Sequence, residues 1–228
     1  MKVAEIYRSV QGEGFLTGAT STFVRTSGCN LRCWYCDTPH TSWMPEGEDL
    51  SVDEILARVA ELDAEHVVLT GGEPMLFAEL IPLSARLRKA GRHVTIETAG
   101  TLYLPVTCDL MSLSPKLANS TPSEDRAGPW SDRHQRTRHA PDVVRRLVSE
   151  YAYQVKFVVG SPDDCREVEE YLRAMPEIDR ERAMLMPEGI DSEALARHAE
   201  WLEVYCHEHA LRFCPRRQIE WFGYVRGT

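Results

Sequence analysis

The chain has 228 residues, 43% hydrophobic and 27% charged, with a formal net charge of −9. That length allows a substantial core, and no apolar run approaches the roughly 18 residues of a membrane span, so no membrane partner is expected. The acidic balance disfavours a protein that lies along a phosphate backbone, which excludes direct nucleic-acid binding as the first expectation.

In chain order, residues 3–10 read as a first strand, followed by a turn at Gly12 and Gly14 whose backbone can approach a ligand closely. Residues 22–26 form a second short strand, with Arg25 placed to point into a site. The next stretch, 27–41, holds three of the seven cysteines: Cys29, Cys33 and Cys36, spaced C-x3-C-x2-C. Thiolates this close can converge on one soft metal centre. Three leave a [4Fe–4S] cube with one open iron, whereas His40 would complete a four-ligand zinc set, and the spacing alone leaves both readings open.

Beyond this loop, helix and strand alternate. A capping box at Ser51 opens a helix with Ile55, Val59 and Leu62 on one face. A buried strand at 66–69 leads to Gly71-Gly72-Glu73-Pro74, and a helix over about 77–90 stops at Gly91. Strands at 93–98 and 107–113 end in Ala99-Gly100-Thr101 and Ser114-Pro115-Lys116. Residues 117–142 are polar and rich in Pro and Ser, and read as a flexible lid or disordered loop. A helix (143–150), a strand (154–159), a helix capped by Ser161, a strand (184–186) and a long helix (191–210) complete the alternation. Cys165 and Cys206 fall on apolar helical stripes and read as core. The basic, aromatic tail carries Arg216, Arg217, Gln218 and Trp221, and could fold over the site.

This order predicts one α/β domain, 1–228: an open partial (β/α) barrel of about six parallel strands. In such a barrel the reactive groups gather at the carboxyl ends of the strands, where the unusual segments lie. The odd cysteine count and a start without a signal-like apolar core predict a reducing, cytoplasmic setting.

The cysteine spacing, with the aromatic Tyr35 before the last cysteine, resembles the cluster motif of radical S-adenosylmethionine enzymes. The resemblance implies a [4Fe–4S] cluster on Cys29, Cys33 and Cys36, whose open iron chelates S-adenosylmethionine, and makes His40 a loop residue. Gly72 and Glu73 lie in a segment similar to that superfamily's GGEP motif, which contacts the cofactor's amino group. Within the superfamily, Gln11-Gly12-Glu13-Gly14, Arg25, Asp37-Thr38, Glu97-Thr98-Ala99-Gly100-Thr101 and Ser114-Pro115-Lys116 resemble the 7-carboxy-7-deazaguanine synthase family over nearly the whole chain. That family implies a radical ring contraction of 6-carboxy-5,6,7,8-tetrahydropterin with loss of ammonia, in queuosine-type deazapurine biosynthesis. By resemblance, Val10, Gln11, Gly12, Glu13, Arg25 and Thr98 hold the pterin and Thr38 holds Mg2+. Tyr35, Gly100, Ser114, Pro115 and Lys116 line the S-adenosylmethionine site, and no side chain is assigned as catalytic. A flavodoxin- or ferredoxin-type electron donor and a homodimer are implied as well.

Overall fold

The computed structural model describes residues 1–228. Its strands are β1 (Lys2–Val10), β2 (Thr20–Thr26), β3 (Glu48–Asp49), β4 (His66–Gly71), β5 (His93–Thr98), β6 (Leu110–Leu113), β7 (Tyr153–Val159), β8 (Ala183–Pro187) and β9 (Arg212–Phe213). They form one sheet in the order β3-β1-β2-β4-β5-β6-β7-β8-β9. From β2 onward every neighbouring pair is parallel, while β1 pairs antiparallel with both β2 and β3.

Parallel neighbours in sequence order need a crossover at every step, and successive right-handed crossovers curl a twisted sheet into an open barrel. The six expected parallel strands are β2 and β4 to β8. Two features extend that expectation: a two-residue strand, β9, at one edge, and an antiparallel hairpin arm at the other. Residues 107–109 lie outside β6, which begins at Leu110.

Side-chain alternation divides the sheet into two faces. Val24, Leu69, Ile96, Leu113, Val155, Phe157 and Leu185 point outward into the main core, where they meet helix residues such as Leu83, Leu87, Leu147, Val168 and Leu202. The residues between them, including Arg25, Thr70, Glu97, Ser112, Gln154 and Lys156, take the concave face. The outer layer is therefore hydrophobic, while the interior combines these polar groups with a small apolar cluster of Val158, Met184, Met186 and Cys214.

The helix starts expected from sequence form as physical caps. Ser51 Oγ accepts from Glu54 N, and Ser51 N donates to Glu54 Oε2 at 2.8 Å, opening helix Val52–Glu61. Ser161 does the same with Asp164 ahead of helix Pro162–Ala174. No helix is long and apolar enough to cross a membrane.

Residues 117–142, expected as a flexible lid or disordered loop, hold regular elements. They contain a 3₁₀ turn, Ala118–Ser120, and two helices, Glu124–Ala127 and Trp130–Thr137. Their one fully buried helical side chain is His134. Burial first, then Arg138 and Lys116, holds its imidazole pKa down to about 4. The C-terminal tail does fold back: helix Arg217–Phe222 and the residues after it lie over the concave face.

Candidate active site

A cavity of about 420 Å³ opens on the concave face. It is bordered by the loop of residues 27–38, the turn after β1, the inner side chains of the strands and the tail. Every site residue expected from sequence borders it except Glu73, Gly100 and Pro115.

The cysteine loop has no regular structure between β2 and the short helix Pro39–Ser42, so its polar groups must find partners elsewhere. Gly28 N donates to Thr41 O at 2.8 Å, Glu73 N to Gly28 O at 2.9 Å and Trp43 Nε1 to Cys33 O at 3.0 Å. Asn30 Nδ2 donates to Thr101 Oγ1 at 2.9 Å, tying the loop to the segment after β5. All three thiols are free and border the cavity. Burial raises the pKa of Cys29 and of Cys33 to about 12, so the protein alone does not stabilise these thiolates. A bound cationic iron centre would.

Two donors already face sulfur. Leu31 N lies 3.4 Å from Cys29 Sγ and the Ser42 hydroxyl 3.2 Å from Cys36 Sγ. This donor set fits a cluster. No three His, Cys, Asp or Glu side chains, the three cysteines included, converge as the ligands of one mononuclear ion would. His40 Nε2 is buried without a hydrogen-bond partner, 3.7 Å from Glu5 Oε2.

Gly72 to Pro74 follows β4 and packs directly beneath the cysteine loop. A Cβ at Gly72 would collide with the Gly28 carbonyl and sit 2.8 Å from Thr41 O, so only glycine allows this approach. Glu73 is fully buried and turned away from the cavity, and burial raises its pKa. Its carboxylate accepts from Thr98 Oγ1 at 2.8 Å, Ala99 N at 2.9 Å and Met75 N at 3.0 Å. It stitches the loop after β4 to the loop after β5, and so positions Thr98 at the rim.

The cavity floor is an ion network. Lys156 Nζ, on a 5% exposed side chain, lies 2.7 Å from Glu13 Oε2 and 3.4 Å from Glu97 Oε1. Thr70 Oγ1 donates to Glu97 Oε2 at 2.9 Å, and Gln218 Nε2 to Glu13 Oε1 at 2.7 Å. Burial alone would raise the Glu13 pKa, but Lys156 and Arg216 outweigh it and hold it at about 2. Burial would likewise lower Lys156, yet Glu13 and Glu97 carry it above the ordinary lysine range.

Arg25 donates from Nε to Glu5 Oε2 at 2.9 Å and from Nη2 to Tyr7 Oη at 2.8 Å. The tail joins both groups. Arg216 pairs with Asp37 and donates to Gly189 O at 2.6 Å, and Arg226 pairs with Glu5. Tyr224 Oη donates to Asp37 O at 2.7 Å. The tail is thus fastened to the residue that follows the last of the three cysteines.

The comparisons with known proteins point the same way. Residues 23–116 match the model of the Radical SAM superfamily. A 7-carboxy-7-deazaguanine synthase from Rhodopirellula baltica is 47% identical over 227 residues, 99% of this chain and 88% of that one. The chain belongs to the 7-carboxy-7-deazaguanine synthase family. A second member, from Halobacterium salinarum, is 42% identical over 96% of this chain and 89% of its own. Among solved structures, the crystal structure of QueE from Escherichia coli aligns with a TM-score of 0.71 at 25% identity, covering 95% of this chain and 93% of that one. The open mixed sheet described above is therefore the radical-SAM-like fold of a 7-carboxy-7-deazaguanine synthase family member.

Sequence reasoning missed Lys156, Glu5 and Tyr7, and gave Glu97 no role. The available signal was periodicity. Lys156 interrupts the apolar run Val155-Lys156-Phe157-Val158, at a position where alternation faces it away from the core.

Proposed function

We infer that this chain converts 6-carboxy-5,6,7,8-tetrahydropterin to 7-carboxy-7-deazaguanine with loss of ammonia, as the name of its 47% identical relative indicates. The observation that carries the reading is the meeting of three free cysteines and a polar, ion-paired floor in one cavity. Cys29, Cys33 and Cys36 would hold a [4Fe–4S] cluster, with S-adenosylmethionine beside it along Gly72, Ser114 and Lys116. When bound, this pair supplies the 5′-deoxyadenosyl radical that takes a hydrogen atom from the pterin.

The chain's own residues bind and orient. Arg25 has Nε and Nη2 committed to Glu5 and Tyr7, which leaves Nη1 for a planar anion. The backbone of Val10, Gln11 and Gly12 and the side chain of Thr98, which all border the cavity, would hold the pterin. The Glu13–Lys156–Glu97 network presents fixed charge below the ring, in a setting where burial strengthens it. Thr38 borders the cavity next to the last cysteine. Its hydroxyl is our candidate to hold a Mg2+ ion, which would offset the charge of a substrate carboxylate.

One domain spanning 1–228, a homodimeric assembly and a flavodoxin- or ferredoxin-type reductant complete the proposal. The test is anaerobic incubation with the carboxytetrahydropterin, S-adenosylmethionine and dithionite. Product with the mass and absorbance of 7-carboxy-7-deazaguanine is expected. Unchanged pterin from protein that contains a full cluster would overturn the assignment.

A further inference from the structure

The peptide groups of the cysteine loop draw several of their partners from one segment, residues 118–134. Trp34 N donates to Ser120 O at 3.1 Å and Trp34 Nε1 to Asn119 O at 2.6 Å. Arg126 Nη1 donates to Trp34 O at 2.9 Å.

Arg32, the residue immediately before Cys33, is gripped at both ends. Its guanidinium lies 3.9 Å from the centre of the Trp130 ring, and its backbone N–H donates to His134 Nδ1 at 3.0 Å. Because Nδ1 accepts, the neutral ring carries its proton on Nε2 and donates it to Ser120 Oγ at 2.9 Å. The Ser120 hydroxyl then donates to Leu117 O at 2.6 Å. One tautomer satisfies the whole relay, inside a fully buried side chain.

We propose that His134 is a positioning residue that clamps the Arg32 peptide, so that Cys29 and Cys33 keep the separation a cluster needs. The proposal rests on the cluster assignment above. Metal ligands are commonly held by a further tier of hydrogen bonds, and loosening that tier releases the metal. With no acceptor at position 134, the Arg32 N–H loses its partner and the loop between the two cysteines is free to move. The segment 118–134 is then a brace for the cluster loop.

The test compares reconstituted wild type, His134→Ala, His134→Asn and Trp130→Leu under anaerobic conditions. Loss of visible absorbance is followed in excess iron chelator, and melting of the metal-free proteins is recorded in parallel. His134→Ala should release its cluster about tenfold faster, the order of effect expected for an orphaned buried donor. His134→Asn, whose Oδ1 can occupy the Nδ1 position, should stay within about threefold of wild type, and Trp130→Leu should fall between. Release from His134→Ala at the wild-type rate overturns the proposal, as does His134→Asn behaving like His134→Ala when both melt alike. If His134→Ala does not fold, wild-type release from Ser120→Ala, which removes the hydroxyl that fixes the His134 tautomer, overturns it. Wild-type protein that takes up no cluster overturns the cluster assignment itself, which distinguishes the two failures.

Discussion

Replacing Lys156 by Met tests whether the cavity floor is held together by charge. The substitution roughly conserves side-chain volume and removes the ammonium 2.7 Å from Glu13 and 3.4 Å from Glu97. Removing one partner of a buried pair costs about 3–5 kcal/mol, because the other charge stays desolvated. Lys156, with Arg216, also holds the Glu13 carboxyl well below the ordinary carboxylate range in the folded protein, so its ionised form contributes to folding stability. Because the folded pKa is the lower one, that stability is fully present above pH 4.5 and disappears as pH falls toward about 2. The gap between wild type and Lys156→Met should therefore be widest at neutral pH and close in acid, as Glu13 takes up a proton. Urea unfolding of reduced, metal-free protein at several pH values between neutral and acid measures it. The double variant Glu13→Gln, Lys156→Met should recover part of the loss. A gap at pH 7 no larger than about 1 kcal/mol, the worth of an exposed pair, would refute the reasoning. So would a gap that does not change with pH.

Three further outcomes follow from the same geometry. Gly72→Ala should force the segment after β4 away from the Gly28 carbonyl, and iron content after reconstitution should fall well below that of wild type. Glu73→Gln places an NH2 group against one of the donors now facing the carboxylate, and should lower the urea-derived stability by about 1–3 kcal/mol. Removing residues 217–228 strips the Gln218 and Arg226 contacts from Glu13 and Glu5. Calorimetry should then show pterin affinity falling by about tenfold, with iron content unchanged.

The sequence shows the architecture wherever periodicity is strong. The alternation of buried strands with capped helices marks the parallel sheet, and the cysteine spacing marks its reactive rim. The β1–β2 hairpin was not legible because nine residues separate those strands and the turn there lacks a compact hairpin signature. Residues 117–142 read as a loop because Pro122, Gly128 and Pro129 interrupt them and their helices are short and mostly exposed. Their order comes from tertiary partners such as Arg32 and Trp34, far away in sequence. Pairings such as Arg216 with Asp37, 179 positions apart, leave no local trace at all. Lys156 was hidden differently. Its charge is visible in the strand, but without the barrel's curvature nothing says that the face opposite the core is a cavity rather than solvent.

Metal analysis of anaerobically reconstituted protein tests the central claim most directly, with Cys33→Ala and His40→Ala measured beside the wild type. Wild type and His40→Ala should each carry about four irons and about four sulfides per chain, and Cys33→Ala essentially none. A single zinc per chain, lost when His40 is replaced, would contradict the account.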